Sequence, residues 1–169
     1  MNAPILTLKA CAQLVDTWRR QGLAVAFTNG HFDLLHAGHV TYLHAARKGA
    51  DRLVVGLNSD ASTRRRKGPT RPILPQEERA LLLAALRPVD AVIIWAEDDF
   101  CQVVAALKPD YYIKGADWNG KSGPKPPEAA IIEAQGGQVH FIELTPGRST
   151  SSIEREILQR HGCNNEAGA

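Results

Sequence analysis

Cysteine, net charge and long apolar runs are all scarce in this chain of 169 residues. Its three cysteines, Cys11, Cys101 and Cys163, are scattered, odd in number and without paired metal-ligand spacing. That excludes a disulfide framework and a zinc site and points to a reducing compartment. The formal net charge of +2 provides no global basic field, so a dedicated nucleic-acid binder is excluded. The longest apolar runs, Ala80 to Leu86 and Ala91 to Ala96, are far too short to span a bilayer. Near the start, Ala3-Pro4-Ile5-Leu6 is followed by Lys9, Asp16, Arg19 and Arg20, which is not a signal-peptide pattern. The expectation is a cytoplasmic protein with no membrane partner, of a length that fits one domain.

What is present is an alternation of helical and buried-strand patterns. Leu8 to Gln21 carries Leu8, Ala12, Val15 and Trp18 near a helical period, and Gly22 is placed to end it. Leu23 to Thr28 reads as a buried strand that turns at Asn29-Gly30. The spacing then predicts helices over 38–48, 75–86, 100–107, 127–134 and 149–160. Strands fall between them over 51–57, 91–95, 111–114 and 138–144. Repeated βα units with apolar strands imply an open parallel sheet covered by helices on both faces, with ligands beyond the carboxyl ends of the strands. The domain reads as 1–161, with 1–22 a helical extension and 162–169 a disordered tail. Two loops stand out: the basic 64–71 and 117–127, which is rich in Gly, Lys and Pro.

The sharpest chemical signal follows the first strand, in Thr28-Asn29-Gly30-His31-Phe32-Asp33-Leu34-Leu35-His36-Ala37-Gly38-His39. His36 and His39 are three apart and share one face of the first helical turn. The free N–H groups and positive end of that helix favour an anion, and Gly38 lets the backbone approach a phosphate. A lone histidine there is more often a helix cap. Two at this spacing, in a strand–turn–helix setting, favour the anion site. Farther on, Arg64-Arg65-Arg66-Lys67 reads as a solvated face or, beside an anion site, as a reach toward phosphate. Arg79 precedes an apolar stretch and needs a partner, for which Glu77, Glu78 or a phosphate would serve. Asp117 either caps a turn or faces a nucleotide. Ser149, Thr150 and Ser151 open a helix, as a plain N-cap or as a second phosphate site.

His36-Ala37-Gly38-His39 resembles the HxGH signature of the cytidylyltransferase-like nucleotidyltransferases, which share a Rossmann-like α/β fold. Thr28-Asn29-Gly30, Phe32-Asp33 and Leu35-His36 resemble a narrower branch, the adenylyltransferases of ADP-heptose synthesis. The likeness continues through 58–63, Lys67-Gly68, Arg71-Pro72, Glu78-Arg79, Val89-Asp90, Lys114-Gly115-Ala116-Asp117 and Ser149-Thr150-Ser151. It covers nearly the whole chain in order. His31 stands where a small residue such as Cys or Thr is usual, and Ala116 replaces a common Gly. The cytidylyltransferase form of the last motif has an arginine before Gly-x-Ser-Thr. Here Leu144-Thr145-Pro146 precede Gly147 and Arg148 follows it.

The resemblance implies transfer of AMP from ATP to D-glycero-D-manno-heptose 1-phosphate, with Mg²⁺ arriving on the nucleotide and no protein metal site. It assigns catalysis to His36, His39 and Lys67. Nucleotide binding falls to Thr28, Asn29, Gly30, His31, Phe32, Gly38, Arg79, Lys114, Gly115, Asp117, Gly147, Arg148, Ser149, Thr150 and Ser151. Acceptor binding falls to Asp33, Asn58 and Arg71. The acceptor phosphate is already an anion, so positioning and charge neutralisation would carry the rate. A homo-oligomer and a separate pathway kinase stay open as partners. The alternatives are a cytidylyltransferase acting on glycerol 3-phosphate or a similar alcohol phosphate, and a non-catalytic nucleotide-binding regulatory domain.

Overall fold

In the central strands, side chains alternate between two buried faces, as a sheet covered on both sides requires. The computed structural model describes residues 2–118, 125–143 and 149–161. Six strands are found there: β1 (Ile5–Leu6), β2 (Val25–Gly30), β3 (Arg52–Asn58), β4 (Ala91–Trp95), β5 (Tyr111–Gly115) and β6 (Gln138–Ile142). The helices are α1 (Leu8–Arg20), α2 (Ala37–Arg47), α3 (Asp60–Lys67), α4 (Gln76–Ala84), α5 (Cys101–Leu107), α6 (Glu128–Ala134) and α7 (Thr150–His161), with a 3₁₀ turn at Ala116–Trp118. All strand pairs are parallel and the order is β1-β4-β3-β2-β5-β6. The chain steps outward from β2 through β3 to β4, then returns to the other side of β2 with β5. The crevice of this Rossmann-like fold therefore lies at the carboxyl ends of β2 and β5.

One core layer holds Phe27, Val54, Ile93 and Tyr112 against Val15 of α1, Phe100, Val104 of α5 and Ile132 of α6. The other holds Ala26, Leu53, Val55, Val92 and Ile113 against Leu43 of α2 and Leu83 of α4. Gly56 in β3 is a packing requirement: a Cβ there would sit 2.8 Å from Cζ of Phe27 and would also strike the Phe100 ring. Among the described residues no helix is long and apolar enough to cross a membrane.

Three expectations are corrected. The strand expected over 23–28 lies two residues later, so Asn29 and Gly30 belong to β2 and pair with Gly56 and Leu57. The stretch expected to be a helical extension also supplies β1, which pairs with β4 at the sheet edge. The basic residues 64–67 are the last turn of a helix, not part of a loop. Ser59 caps α3 by accepting from the Ser62 N–H at 3.2 Å, and Gly68 at φ +100° ends it. The sequence Asp60 to Lys67 is polar almost throughout, so no apolar stripe announced the helix. The stretch 162–169 lies outside the described residues.

Candidate active site

Beyond β2 the chain makes a strained turn that is fixed from two sides. Phe32 has φ 44°, unusual for a residue with a Cβ, and its ring is buried 5.2 Å from the ring of His39. A conformation of this kind costs about 1–3 kcal/mol and persists only when neighbours over-determine it. On one side the Arg79 Nη1 donates to the His31 carbonyl at 2.5 Å. On the other, the buried Asp33 carboxylate accepts from the N–H groups of Ile73 at 2.6 Å and Leu74 at 3.2 Å, and pairs with Arg71 at 2.9 Å. Arg71 also pairs with Glu154, which ties α7 to the turn.

The turn delivers His36 to the N-cap of α2, with an extended backbone and no side-chain capping bond. The cap reading of His36 therefore lacks its defining contact. Its ring stacks on His39 with centroids 3.9 Å apart. Burial, followed by the neighbouring His36, pushes the His39 pKa down from 6.5 to about 4, against a backbone hydrogen bond to Leu34. His39 is neutral near pH 7 in the ligand-free protein.

These rings open onto a cavity of about 360 Å³ at the β2/β5 crevice. Asn29, Gly30, Phe32, His36, Gly38 and His39 line it from the β2–α2 side; Lys114, Gly115, Asp117 and Trp118 line it from β5; Ser149, Thr150 and Ser151 close it from α7. Asn29 is oriented by its Oδ1, which accepts from the Tyr112 hydroxyl at 2.8 Å and from Lys114 Nζ at 3.3 Å. Lys114 Nζ also lies 4.7 Å from the centre of the Trp118 ring. Burial lowers the Lys114 pKa, opposed by Glu128 and Asp117. The Ser149 hydroxyl accepts from the Ser152 N–H at 3.0 Å and the Ser152 hydroxyl accepts from the Ser149 N–H at 2.9 Å. Ser149 is thus an N-cap, while the Thr150 and Ser151 side of the turn faces the crevice.

A second cavity of about 290 Å³ adjoins the first. His31, Asp33, Thr63, Lys67 and Arg71 line it, and Thr150 and Ser151 form a wall common to both. Lys67, expected among the catalytic residues, is brought together here with Asp33 and Arg71, expected at the acceptor. His31, expected to bind nucleotide, lines this second cavity and is not among the residues lining the first. Its Nδ1 lies 3.0 Å from the Thr63 hydroxyl. Burial, then the charges of Lys67, Arg66, Arg79 and Lys114, push its pKa down to about 4.

Three of the expected site residues make bonds within the protein. Arg79 is fully buried, and its guanidinium donates to the carbonyls of Leu74, His31 and Asn58 and to Asp60 Oδ1 at 2.7 Å. Its charged partner among the described residues is Asp60 of α3 rather than Glu77 or Glu78, and these bonds fix the turn. Asn58 is buried and donates from Nδ2 to the Ser62 hydroxyl at 3.0 Å. Thr28 is fully buried; its hydroxyl lies 2.8 Å from the Tyr42 hydroxyl, which donates to the Ile113 carbonyl at 3.1 Å. With the Tyr42 proton so used, Thr28 donates and holds Tyr42 against the first cavity. Gly147 and Arg148 lie outside the described residues. Tyr42, Trp118 and Thr63 line the cavities without having been singled out. Tyr42 was within reach of sequence reasoning, since it follows His39 by three on the same helix face.

The Cytidylyltransferase-like family model matches residues 27–158. Among curated relatives, "Bifunctional protein HldE" of Mesorhizobium japonicum is 49% identical over 147 residues, 87% of this chain and 29% of that protein. "Bifunctional protein HldE" of Paramagnetospirillum magneticum is 48% identical over 156 residues, 92% of this chain and 31% of that protein. The chain thus spans about a third of the length of these relatives. A solved lipopolysaccharide core biosynthesis protein from Thermoplasma volcanium is 32% identical with TM-score 0.58, over 73% of this chain and 98% of that one. The pantoate-beta-alanine ligase of Francisella tularensis, 13% identical with TM-score 0.61 over 92% of this chain and 73% of that one, shares the fold. With the histidine pair at the head of α2 and a match across most of its length, the chain belongs to the cytidylyltransferase-like family of nucleotidyltransferases.

Proposed function

We propose that the chain transfers AMP from ATP to a sugar 1-phosphate, D-glycero-D-manno-heptose 1-phosphate, giving the ADP-sugar and pyrophosphate. The observation that carries this reading is the pair of adjoining cavities with Thr150 and Ser151 in their common wall and the stacked His36 and His39 beside it. The nucleotide takes the larger cavity, with its base toward β5 and its phosphates toward α2. The acceptor takes the smaller one. An acceptor phosphate oxygen attacks the α-phosphorus; the α–β bridge bond breaks, and its electron pair leaves on pyrophosphate. No protein nucleophile is needed, so rate depends on alignment and on donors aimed at developing charge. The two imidazoles serve the α/β-phosphate region and Lys67 neutralises charge from the acceptor side. The names of the HldE relatives and of the lipopolysaccharide core biosynthesis protein support the heptose reading.

Mg²⁺ fits this site as a companion of the triphosphate, where it would neutralise phosphate charge. Among the described residues no group of three or more His, Cys, Asp or Glu is suited to hold a metal ion, and Asp117 is the carboxylate among those lining the larger cavity. A separate kinase as the source of the acceptor's phosphate and cytoplasmic ATP as the source of the nucleotide both belong to the proposal.

The test is pyrophosphate release with ATP, CTP, GTP and UTP, each against the heptose 1-phosphate, a hexose 1-phosphate and glycerol 3-phosphate. ATP with the heptose phosphate is expected to lead. A lead for CTP with glycerol 3-phosphate would replace this reading by the alcohol-phosphate one. Nucleotide binding without release in any pair would favour a regulatory domain.

A further inference from the structure

Resting on that reading, we infer that His31 recognises a hydroxyl of the acceptor's sugar body, and that Thr63 and Arg79 hold it in place to do so. The common wall of the two cavities fixes where the reacting phosphate lies, because that phosphate must meet the nucleotide at the junction. The rest of the acceptor then extends into the second cavity, among His31, Asp33, Thr63 and Arg71. This lining is not an anion hole. Arg71 is matched by two carboxylates, Asp33 and Glu154, so Lys67 is the cation in the lining left for phosphate. Mixed neutral, acidic and guanidinium groups suit a ligand that both donates and accepts hydrogen bonds, as sugar hydroxyls do.

His31 is built into that wall. Its carbonyl is held by the fully buried Arg79 at 2.5 Å, and its Nδ1 meets the buried Thr63 hydroxyl at 3.0 Å. Two fixed points set the ring, and Nε2 is the polar atom left for a ligand. The imidazole is neutral around pH 7, because burial and the cations around it oppose a proton. A neutral ring offers one nitrogen that either donates or accepts, and a hydroxyl complements both tautomers. Phosphate needs donors only and would use Lys67 and the α7 hydroxyls instead.

The experiment measures dissociation constants by calorimetry for ATP, a sugar 1-phosphate and inorganic phosphate as competitor, in wild type, His31→Ala, His31→Gln and Thr63→Val. Loss of one neutral hydrogen bond is expected to weaken sugar 1-phosphate binding roughly three- to tenfold in His31→Ala, leaving ATP and inorganic phosphate unchanged. Thr63→Val is expected to weaken it less, and His31→Gln to recover part of the loss through its amide. If His31→Ala does not fold, the other two variants carry the comparison. ATP weakened equally would return His31 to the nucleotide site, and inorganic phosphate weakened equally would make it a phosphate ligand; either overturns the inference. So does unchanged sugar phosphate binding in folded variants that the wild type still matches. A wild type that binds ATP but no sugar phosphate sinks the functional reading first, and this inference with it.

Discussion

Arg71 holds Asp33 and Glu154 together, joining the turn after β2 to the first half of α7. The Arg71 side chain is only 15% exposed and that of Asp33 8%, so this end of the bridge is shielded from solvent screening. α7 has no fully buried residue of its own. A helix with so little core contact depends on such a tie to present Thr150 and Ser151 to both cavities. Glu154→Gln should therefore raise KM for nucleotide and acceptor together and speed amide exchange in α7, with little change in Tm. Normal exchange in α7 with raised KM would limit Glu154 to a local electrostatic role.

Arg79 contrasts with this, because its bonds all close inside the fold. Removing its guanidinium strands the carbonyls of His31, Asn58 and Leu74 and leaves Asp60 without its buried partner. Breaking a buried pair typically costs about 3–5 kcal/mol. Arg79→Met should lower stability by an amount in that range. Denaturant melts check the size, and a stable variant that has lost only ATP affinity would restore the phosphate-ligand role.

Lys67 and Arg65 separate a ligand-facing charge from a surface one within the same helical turn. Arg65 pairs with Asp98 at 2.7 Å in the open, where solvent and salt screen the pair, while Lys67 lines the second cavity. Lys67→Ala should reduce kcat/KM for the acceptor tenfold or more, by order of magnitude for one charge-assisted contact, and Arg65→Ala by less than about twofold. Equal small losses would make the whole run a solvated face.

How much was legible beforehand depended on the kind of signal. The buried strands could be placed because β3 and β4 are nearly continuous apolar runs bounded by turn residues, and the histidine pair because its spacing matches a helical turn. α3 escaped because polar helices show no stripe, and β1 because two residues form no pattern. The destination of Arg79 was beyond sequence reasoning: Asp60 lies nineteen residues away and comes near only because the first turns of α3 and α4 meet beyond the end of β3. The two-cavity division had the same limit, since it depends on the start of α7 coming beside the turn after β2 to add Thr150 and Ser151. So did the position of His31, which lines the second cavity while its sequence neighbour Gly30 lines the first.

The two depressed histidines predict a pH dependence of stability. His31 and His39 are held near pKa 4 when folded, against 6.5 when unfolded. Between those values the unfolded chain binds more protons, so stability rises with pH across that window and levels off above about 6.5. Ligand-free Tm should therefore fall as pH is lowered from 6.5 toward 4, and His31→Gln and His39→Gln should each flatten the slope relative to wild type. Saturating ATP should also flatten it, because triphosphate beside His39 favours its protonated form. Identical slopes in wild type and both variants would show that neither imidazole is held neutral by the fold.

The stacked pair at the head of α2 makes the sharpest demand. His36 carries no capping bond, so its replacement costs α2 no cap, and His39 lies one turn farther on with its ring against Phe32. If both imidazoles donate to oxygens whose charge grows as the α–β bridge breaks, their contacts strengthen in the transition state. Such losses appear in kcat more than in substrate affinity. Removing one preorganised donor typically costs about 10²–10³-fold, roughly 2.7–4 kcal/mol. His36→Ala and His39→Ala should each lose kcat in that range with ATP binding changed far less, and His36→Ala should keep its Tm. Because the rings touch at 3.9 Å, the double variant should lose less than the product of the single losses. Full turnover in a folded single variant would remove that ring from the reaction, and full turnover in both would take the pair out of the mechanism and sink the assignment of this site.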